Sequence, residues 1–343
     1  MSITLPRNAQ IWLPGYIRDR LASRRVPTGG RVWLALADHW EPYWLHPSDE
    51  VAASRVATWT KHWPEVARRH VDSNGRSPQY TFYYPQEEYR PQFLDALAGM
   101  KQAGIADVDI HIHHDGEGQQ NFVDRMSGFI DTLVSRHGLL RISNGRPVFG
   151  FIHGNWALDN SRPDGRCCGL NNEITLLRDL GCYADFTMPS GSSPTQARTV
   201  NSIYWVTDDP LRPRSYDYGA AVKPGLLGSG DLLMIPGPFG LRWASRLVPR
   251  MEAGELACYD LPTSYRVQRW LDLAPRIGGD IFVKLFTHGA QERNSSALLL
   301  EGGFDRLFAA LTAGCRQRGY RLHYVSTWEM RQAIDVAVRG GAN

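Results

Sequence analysis

The sequence predicts an α/β fold made of repeated strand–helix units, and three observations carry that expectation. Short runs dense in apolar, β-branched and aromatic residues alternate with amphipathic stretches from Arg31 to Val338. Several of the helical stretches stop at a glycine, namely Gly104, Gly138 and Gly181, as helix C-termini commonly do. No GxGxxG follows the first strand, so nothing favours a dinucleotide-binding sheet. Repeated units of this kind either close into a barrel or form an open doubly wound sheet.

Residues 1–30 are polar and punctuated by Pro and Gly, and read as an N-terminal extension to a single domain over 31–338. The first strand is Arg31–Asp38 (RVWLALAD) and the second Tyr80–Tyr84 (YTFYY). A helix is expected from about Glu87 to Ala103, then a strand over Asp107–His113, a helix over Asn121–His137 and a strand over Val148–Ile152. Asn171–Leu180 reads as helix, and short strands follow near Ala184–Met188, Ser202–Val206 and Leu232–Ile235. Residues 189–240, rich in Pro, Gly and Ser, break the rhythm and read as an irregular excursion on the same domain. Helix is expected over Thr263–Ile277 and strand over Asp280–Phe286. Ala297–Arg318 reads as largely helical around a Gly302-Gly303 interruption, followed by a strand at Tyr320–Val325 and a helix at Trp328–Val338.

With 43% hydrophobic and 21% charged residues the chain can bury a sizeable core. Its 38 basic and 35 acidic residues nearly cancel, which gives no reason to expect a nucleic-acid or membrane partner. Five cysteines without a CxxC pair argue against a disulfide framework or zinc ribbon, and reduced thiols in a cytoplasm are expected. MSITLPRNAQIWLPGYIRDR lacks a long apolar run, so no signal peptide is expected, nor does any stretch reach membrane-spanning length. Eleven Trp and fourteen Tyr mostly fill the core, and a few could line a sugar cleft.

The strongest chemical signal is DVDIHIHHDGE. Strand alternation puts Val108, Ile110 and Ile112 on one face and Asp109, His111 and His113 on the other. His114 and Asp115 follow at the loop entrance. A single histidine there would read as a hydrogen-bonded core residue; three histidines and an aspartate in one short run favour a metal. Asp38, His39 and Glu41 end the first strand in LALADHWEP, where the alternative use of Asp38 is a helix N-cap. His153 ends PVFGFIH and opens HGNW, and His288 ends DIFVKLFTH. In parallel βα folds all these strand ends meet on one face. No GxSxG elbow or P-loop is present, and a paired-carboxylate glycosidase through Glu41, Glu87, Glu88 or Glu117 stays open.

The order of these motifs resembles the polysaccharide deacetylase superfamily (NodB-like, carbohydrate esterase family 4). LALADHWEP is similar to its Asp motif after the first strand, IHIHHDGE to its His motif, LFTHG to its late Leu-x-x-His motif, and GCYADFTMPS to a segment after a family helix. The family's paired aspartates are here Ala37-Asp38-His39, its His-x-x-x-His is His111-x-His113-His114, and its Arg-Pro-Pro-Tyr segment is His153-Gly154-Asn155-Trp156. The resemblance implies a distorted (β/α)7 barrel and a divalent metal, with zinc expected. It further implies ligands drawn from Asp38, His39, His111, His113 and His114, a base at Asp38 or Glu41, and a proton donor at His288. His153, Asn155 and Trp156 would shape a pocket for an acylated saccharide. The expected activity is hydrolysis of its N- or O-acyl bond. The alternatives are a (β/α)7-type glycosidase, an amidohydrolase, whose His-x-His normally lies on the first strand, and a saccharide-binding barrel without activity.

Overall fold

The computed structural model describes residues 5–22, 26, 28–245 and 248–340. In chain order the elements are α1 (Ala9–Ala22), β1 (Arg31–His39), α2 (Asp49–Arg68), β2 (Tyr80–Pro85), α3 (Pro91–Gln102), β3 (Ala106–Ile112), α4 (Gln119–Ser135), β4 (Arg141–Ser143) and β5 (Arg146–His153). They continue with α5 (Glu173–Leu180), β6 (Cys182–Asp185), β7 (Tyr204–Val206), β8 (Ala220–Ala221), β9 (Leu232–Met234), β10 (Gly240–Ser245) and β11 (Val248–Glu252). The last are α6 (Ser264–Leu273), β12 (Arg276–Ile277), β13 (Asp280–Thr287), α7 (Glu292–Ser295), α8 (Gly303–Arg318), β14 (Arg321–Tyr324) and α9 (Thr327–Gly340).

The centre is a large, mostly parallel sheet in the order β12-β13-β1-β2-β3-β5-β6-β9-β7-β8. The strands from β13 through β9 run parallel to their neighbours, so their carboxyl ends share one rim. One edge of β1 is divided: Arg31–Leu34 pairs with β14, and Leu36–His39 pairs with β2. Alternation sorts the side chains. Val32, Leu34 and Leu36 of β1 join Val108, Ile110 and Ile112 of β3 under the outer helices. Ala35 and Ala37 face the interior with Ile152, Leu233 and Phe282, against Met330, Ala333 and Ile334 of α9. Helix α9 therefore plugs the interior from one end, and the small alanines of β1 leave it room.

Several sequence expectations change in the structure. The helix expected from Glu87 begins only at Pro91, whose fixed φ and missing N–H suit a first helical position; Gln86–Glu88 is instead a 3₁₀ turn on the rim. Helix α2 was not anticipated, although Val56, Trp59, Trp63 and Val66 recur at helical spacing and Ser48 caps its start through the Val51 N–H. The N-terminal extension carries helix α1, whose Trp12 meets Phe239 edge-on at 5.3 Å and whose Asp19 accepts from Asn201. The excursion at 189–240 is structured as well: β7, β8 and β9 extend the main sheet. Its backbone groups are thereby satisfied by the same ladder that forms the core.

No hydrogen-bonded ladder joins β9 to β13 among the described residues, so the sheet curls without closing strand to strand. Lys284 of β13 spans the gap. Its buried ammonium donates to the Phe186 carbonyl at 2.8 Å and the Met188 carbonyl at 2.7 Å. Segment Gly254–Leu256 covers the free edge of β13 by exchanging backbone hydrogen bonds with Phe286. Replacement Lys284→Met fills the same space but leaves the buried Phe186 carbonyl without its donor, at a cost of about 1–3 kcal/mol, while the Met188 carbonyl keeps the Gly237 N–H at 3.0 Å. The expected result is a lower urea midpoint at unchanged slope, measured by equilibrium denaturation.

Candidate metal centre at the strand rim

Five side chains converge where the parallel strands end. His39 closes β1 and Glu41 follows it; His111 lies near the end of β3 with His113 just beyond; His288 follows β13. Glu41 is the hub. Its Oε1 lies 3.3 Å from Nε2 of His111 and 3.3 Å from Nε2 of His113. On its other side the His39 and His288 rings stack with centroids 4.7 Å apart. The donor atoms form two groups able to hold an ion, Glu41/His111/His113 and His39/Glu41/His288, each with its atoms within 4.8 Å of one another.

The histidines are held for this role. His111 Nδ1 donates to the Ile152 carbonyl at 2.8 Å, which fixes the ring and aims Nε2 at Glu41. Glu87, in the 3₁₀ turn after β2, accepts both the His113 N–H at 3.1 Å and its Nδ1–H at 2.5 Å, and turns that Nε2 inward. The ring of His113 lies flat on Gly154, where a Cβ would come within 2.3 Å of it, so only glycine fits. His39 is buried, and its Nε2 has no hydrogen-bond partner among the described residues. A buried, unsatisfied polar atom aimed into a cluster of donors is the kind of group an ion completes.

The electrostatics follow from burial and the two glutamates. Burial, then the His288 and His111 rings, push the His39 imidazole well below its ordinary range. Burial would raise the Glu41 carboxyl, but His111 and His113 hold it well below the usual carboxylate range. Burial opposes protonation of His113, yet hydrogen bonds to Glu41 and Glu87 raise it to about 10. The rim thus concentrates negative charge on two carboxylates among imidazoles, a donor set suited to zinc and similar cations.

A cavity of about 410 Å3 opens over this cluster. Trp44, Trp156 and Tyr259 supply flat walls, and Asn155, Gln291 and Asn294 supply amides. Trp156 Nε1 is also buried without a hydrogen-bond partner among the described residues.

Three sequence expectations are corrected. Asp38 is not with the cluster. It shares the helix-facing phase of Leu36, accepts the Gly289 N–H at 2.7 Å, and packs by Trp59 and the Tyr80 hydroxyl. Burial raises its carboxyl well above the ordinary range. Asp38 therefore holds the turn that carries His288, and the residue reaching the centre from β1 is His39. His114 and His153 are likewise turned away, into a separate buried group with Cys168 and Glu173. His153 shares the helix-facing phase of Phe149 and Phe151, so it does not line the pocket as expected, whereas Asn155 and Trp156 do. The sequence offers Glu87 only as half of a carboxylate pair. Its place in the turn after β2, a strand adjacent to β3, is the signal that could have marked it as the partner of His113.

Comparison with known proteins adds no assignment: no protein-family model matches the chain, and no curated protein matches it. No described helix is long and apolar enough to cross a membrane.

The turn after β13 makes a sharp demand. A Cβ at Gly289 would lie 2.6 Å from Asp38 Oδ2 and 2.6 Å from Trp59 Cζ2. Replacement Gly289→Ala must push the turn, and His288 with it, off Asp38. We expect a loss of about 1–3 kcal/mol, the usual scale of overpacking, read from the thermal midpoint.

Proposed function

We propose that the chain is a metal-dependent hydrolase acting on an acyl bond, with a divalent ion, zinc by its donor set, held by Glu41, His111 and His113. The observation that carries this reading is the fixed orientation of two imidazole Nε2 atoms onto one carboxylate, each ring anchored through its other nitrogen. When bound, the ion would act as a Lewis acid toward the acyl oxygen and toward water. Three protein donors leave such an ion open to substrate, as in catalytic zinc sites. The protein's own groups do the rest. His39 and His288 stand across Glu41; His39 is buried, and His288 borders the cavity, where it can give a proton to the departing amine or alcohol.

The substrate class proposed is an N- or O-acylated saccharide. Aromatic faces at Trp44, Trp156 and Tyr259 suit the apolar faces of sugar rings, and the amides of Asn155 and Gln291 suit hydroxyls. The mostly parallel sheet with its candidate metal-binding residues on the carboxyl rim is also compatible with the barrel-like fold of NodB-like deacetylases. A glycosidase would need two free facing carboxylates, but Glu41 is engaged by two histidines and Glu255 accepts the Tyr259 hydroxyl.

Two measurements test this reading. Protein purified without chelator should carry stoichiometric metal at the rim, reduced in His111→Ala and kept in Asp38→Asn; equal metal in the wild type and His111→Ala would end the assignment. Acetate release from a panel of N- and O-acetylated oligosaccharides should fall roughly 10²–10⁴-fold in His288→Ala with its metal retained, the scale of losing a proton donor. Unchanged turnover in that variant would remove His288 from the reaction.

A further inference from the structure

The second buried group lies outside the cavity, on the helix side of the strands. It joins His114 after β3, His153 at the end of β5, Cys168 in the loop that follows, and Glu173 at the first turn of α5. The side chains of His114, His153 and Glu173 are fully buried, and Cys168 is buried with them. His114 Nε2 stands 3.0 Å from His153 Nε2 and 2.9 Å from Glu173 Oε1, and His153 Nε2 stands 3.2 Å from the same oxygen. Cys168 Sγ lies 3.4 Å from the other carboxylate oxygen.

Hydrogen bonding alone leaves this triangle short of protons. His153 Nδ1 lies 2.5 Å from the Gly154 carbonyl and must donate to it, so in the neutral ring Nε2 carries a lone pair. Glu173 Oε1 is an acceptor, and Glu173 Oε2 already accepts the Asp159 N–H at 2.7 Å. One proton on His114 Nε2 would have to serve two acceptors at once. Spending it there leaves His114 Nδ1, which has no hydrogen-bond partner among the described residues, as a further buried lone pair 3.7 Å from the Glu117 carboxylate. A cation at the centre of the triangle removes the conflict: both Nε2 atoms and the carboxylate turn lone pairs to it, and His114 Nδ1–H then faces Glu117.

The remaining donor lies beside the same carboxylate. Cys168 Sγ receives the Asn160 N–H at 3.3 Å and the Leu170 N–H at 3.5 Å; burial and the Glu173 carboxylate hold the thiol well above its ordinary range in the empty group, and a bound cation would offset both. Donors bound at about 2.0–2.3 Å around a tetrahedral ion stand about 3.3–3.6 Å apart, so the observed triangle needs to open by only a few tenths of an ångström. We propose that His114, His153, Glu173 and Cys168 form a closed, four-donor zinc-type site, independent of the rim centre and structural in role. Loading it releases the Cys168 thiol proton to solvent and leaves no coordination position for substrate. Its consequence is local. The loop from Gly154 to Asn172 holds Asn155, Trp156, Asp159, Asn160 and Cys167 at positive φ, a conformation that needs outside support. The ion would staple that loop to β3 and β5 and so fix Asn155 and Trp156 in the cavity wall.

Cobalt reports on the thiolate directly, because the rim donors include no cysteine. The full chain expressed in zinc-depleted, cobalt-supplemented medium should show a thiolate-to-cobalt charge-transfer band. That band should vanish in Cys168→Ser and persist in His111→Ala, which separates this site from the rim. In zinc-loaded protein Cys168→Ser should carry one equivalent less metal than the wild type. A cobalt-loaded wild type without the band, or a band that survives Cys168→Ser, overturns the proposal. The wild-type spectrum decides by itself should the serine variant fail to fold.

Discussion

A parallel strand covered by helices on one side and curled around an interior on the other sends alternate side chains into two environments, and everything at the rim depends on that alternation. In β1 it separates Asp38 from His39; in β3 and its extension it separates Ile112 from His111 and His113; at the end of β5 it separates Ile152 from His153. A shift of one residue would exchange the two sets completely. The register of β1 against β13 and β2 is therefore what commits His39 to the centre and leaves Asp38 to bind the Gly289 turn.

Polar groups inside the curl survive because they are satisfied. Asp109, one turn of the pleat below His111, accepts from Arg141 at 2.8 Å, the Gly150 N–H at 2.8 Å, Tyr183 at 2.7 Å and Thr327 at 3.0 Å. These bonds tie β3, β4, β5 and the start of α9 into one floor. Gly150 is required by it, since a Cβ there would come within 2.8 Å of the Tyr183 and Tyr83 hydroxyls. With the floor fixed by Asp109 and the open side bridged by Lys284, the histidines above stand on a rigid base. Such rigidity is what a preorganised metal site needs.

The irregular segments work in the same way. The loop after β5 contributes the cavity wall on one side and Cys168 on the other. The excursion through β7–β9 lengthens the sheet, and α1 closes over it through Trp12, Val200 and Phe239. The two candidate metal groups are back to back: His113 faces Glu41, and its neighbour His114 faces Glu173. One strand end thus serves both.

The sequence by itself determined the elements with strong local period. The alternation in DVDIHIH predicted that His111 and His113 share a face, and the strand-end positions of His39, Glu41 and His288 marked the rim. These features are local, since a strand's period of two is set by its own backbone. Tertiary structure decided which neighbour faces which side at a strand's end, as with Asp38 and His39, because there the pairing register and the following turn take over. It also decided which residues meet: Glu87 with His113, and Cys168 and Glu173 with His114 and His153. Their chain separations carry no periodic trace, and only the closing of the sheet and its loops brings them within bonding distance.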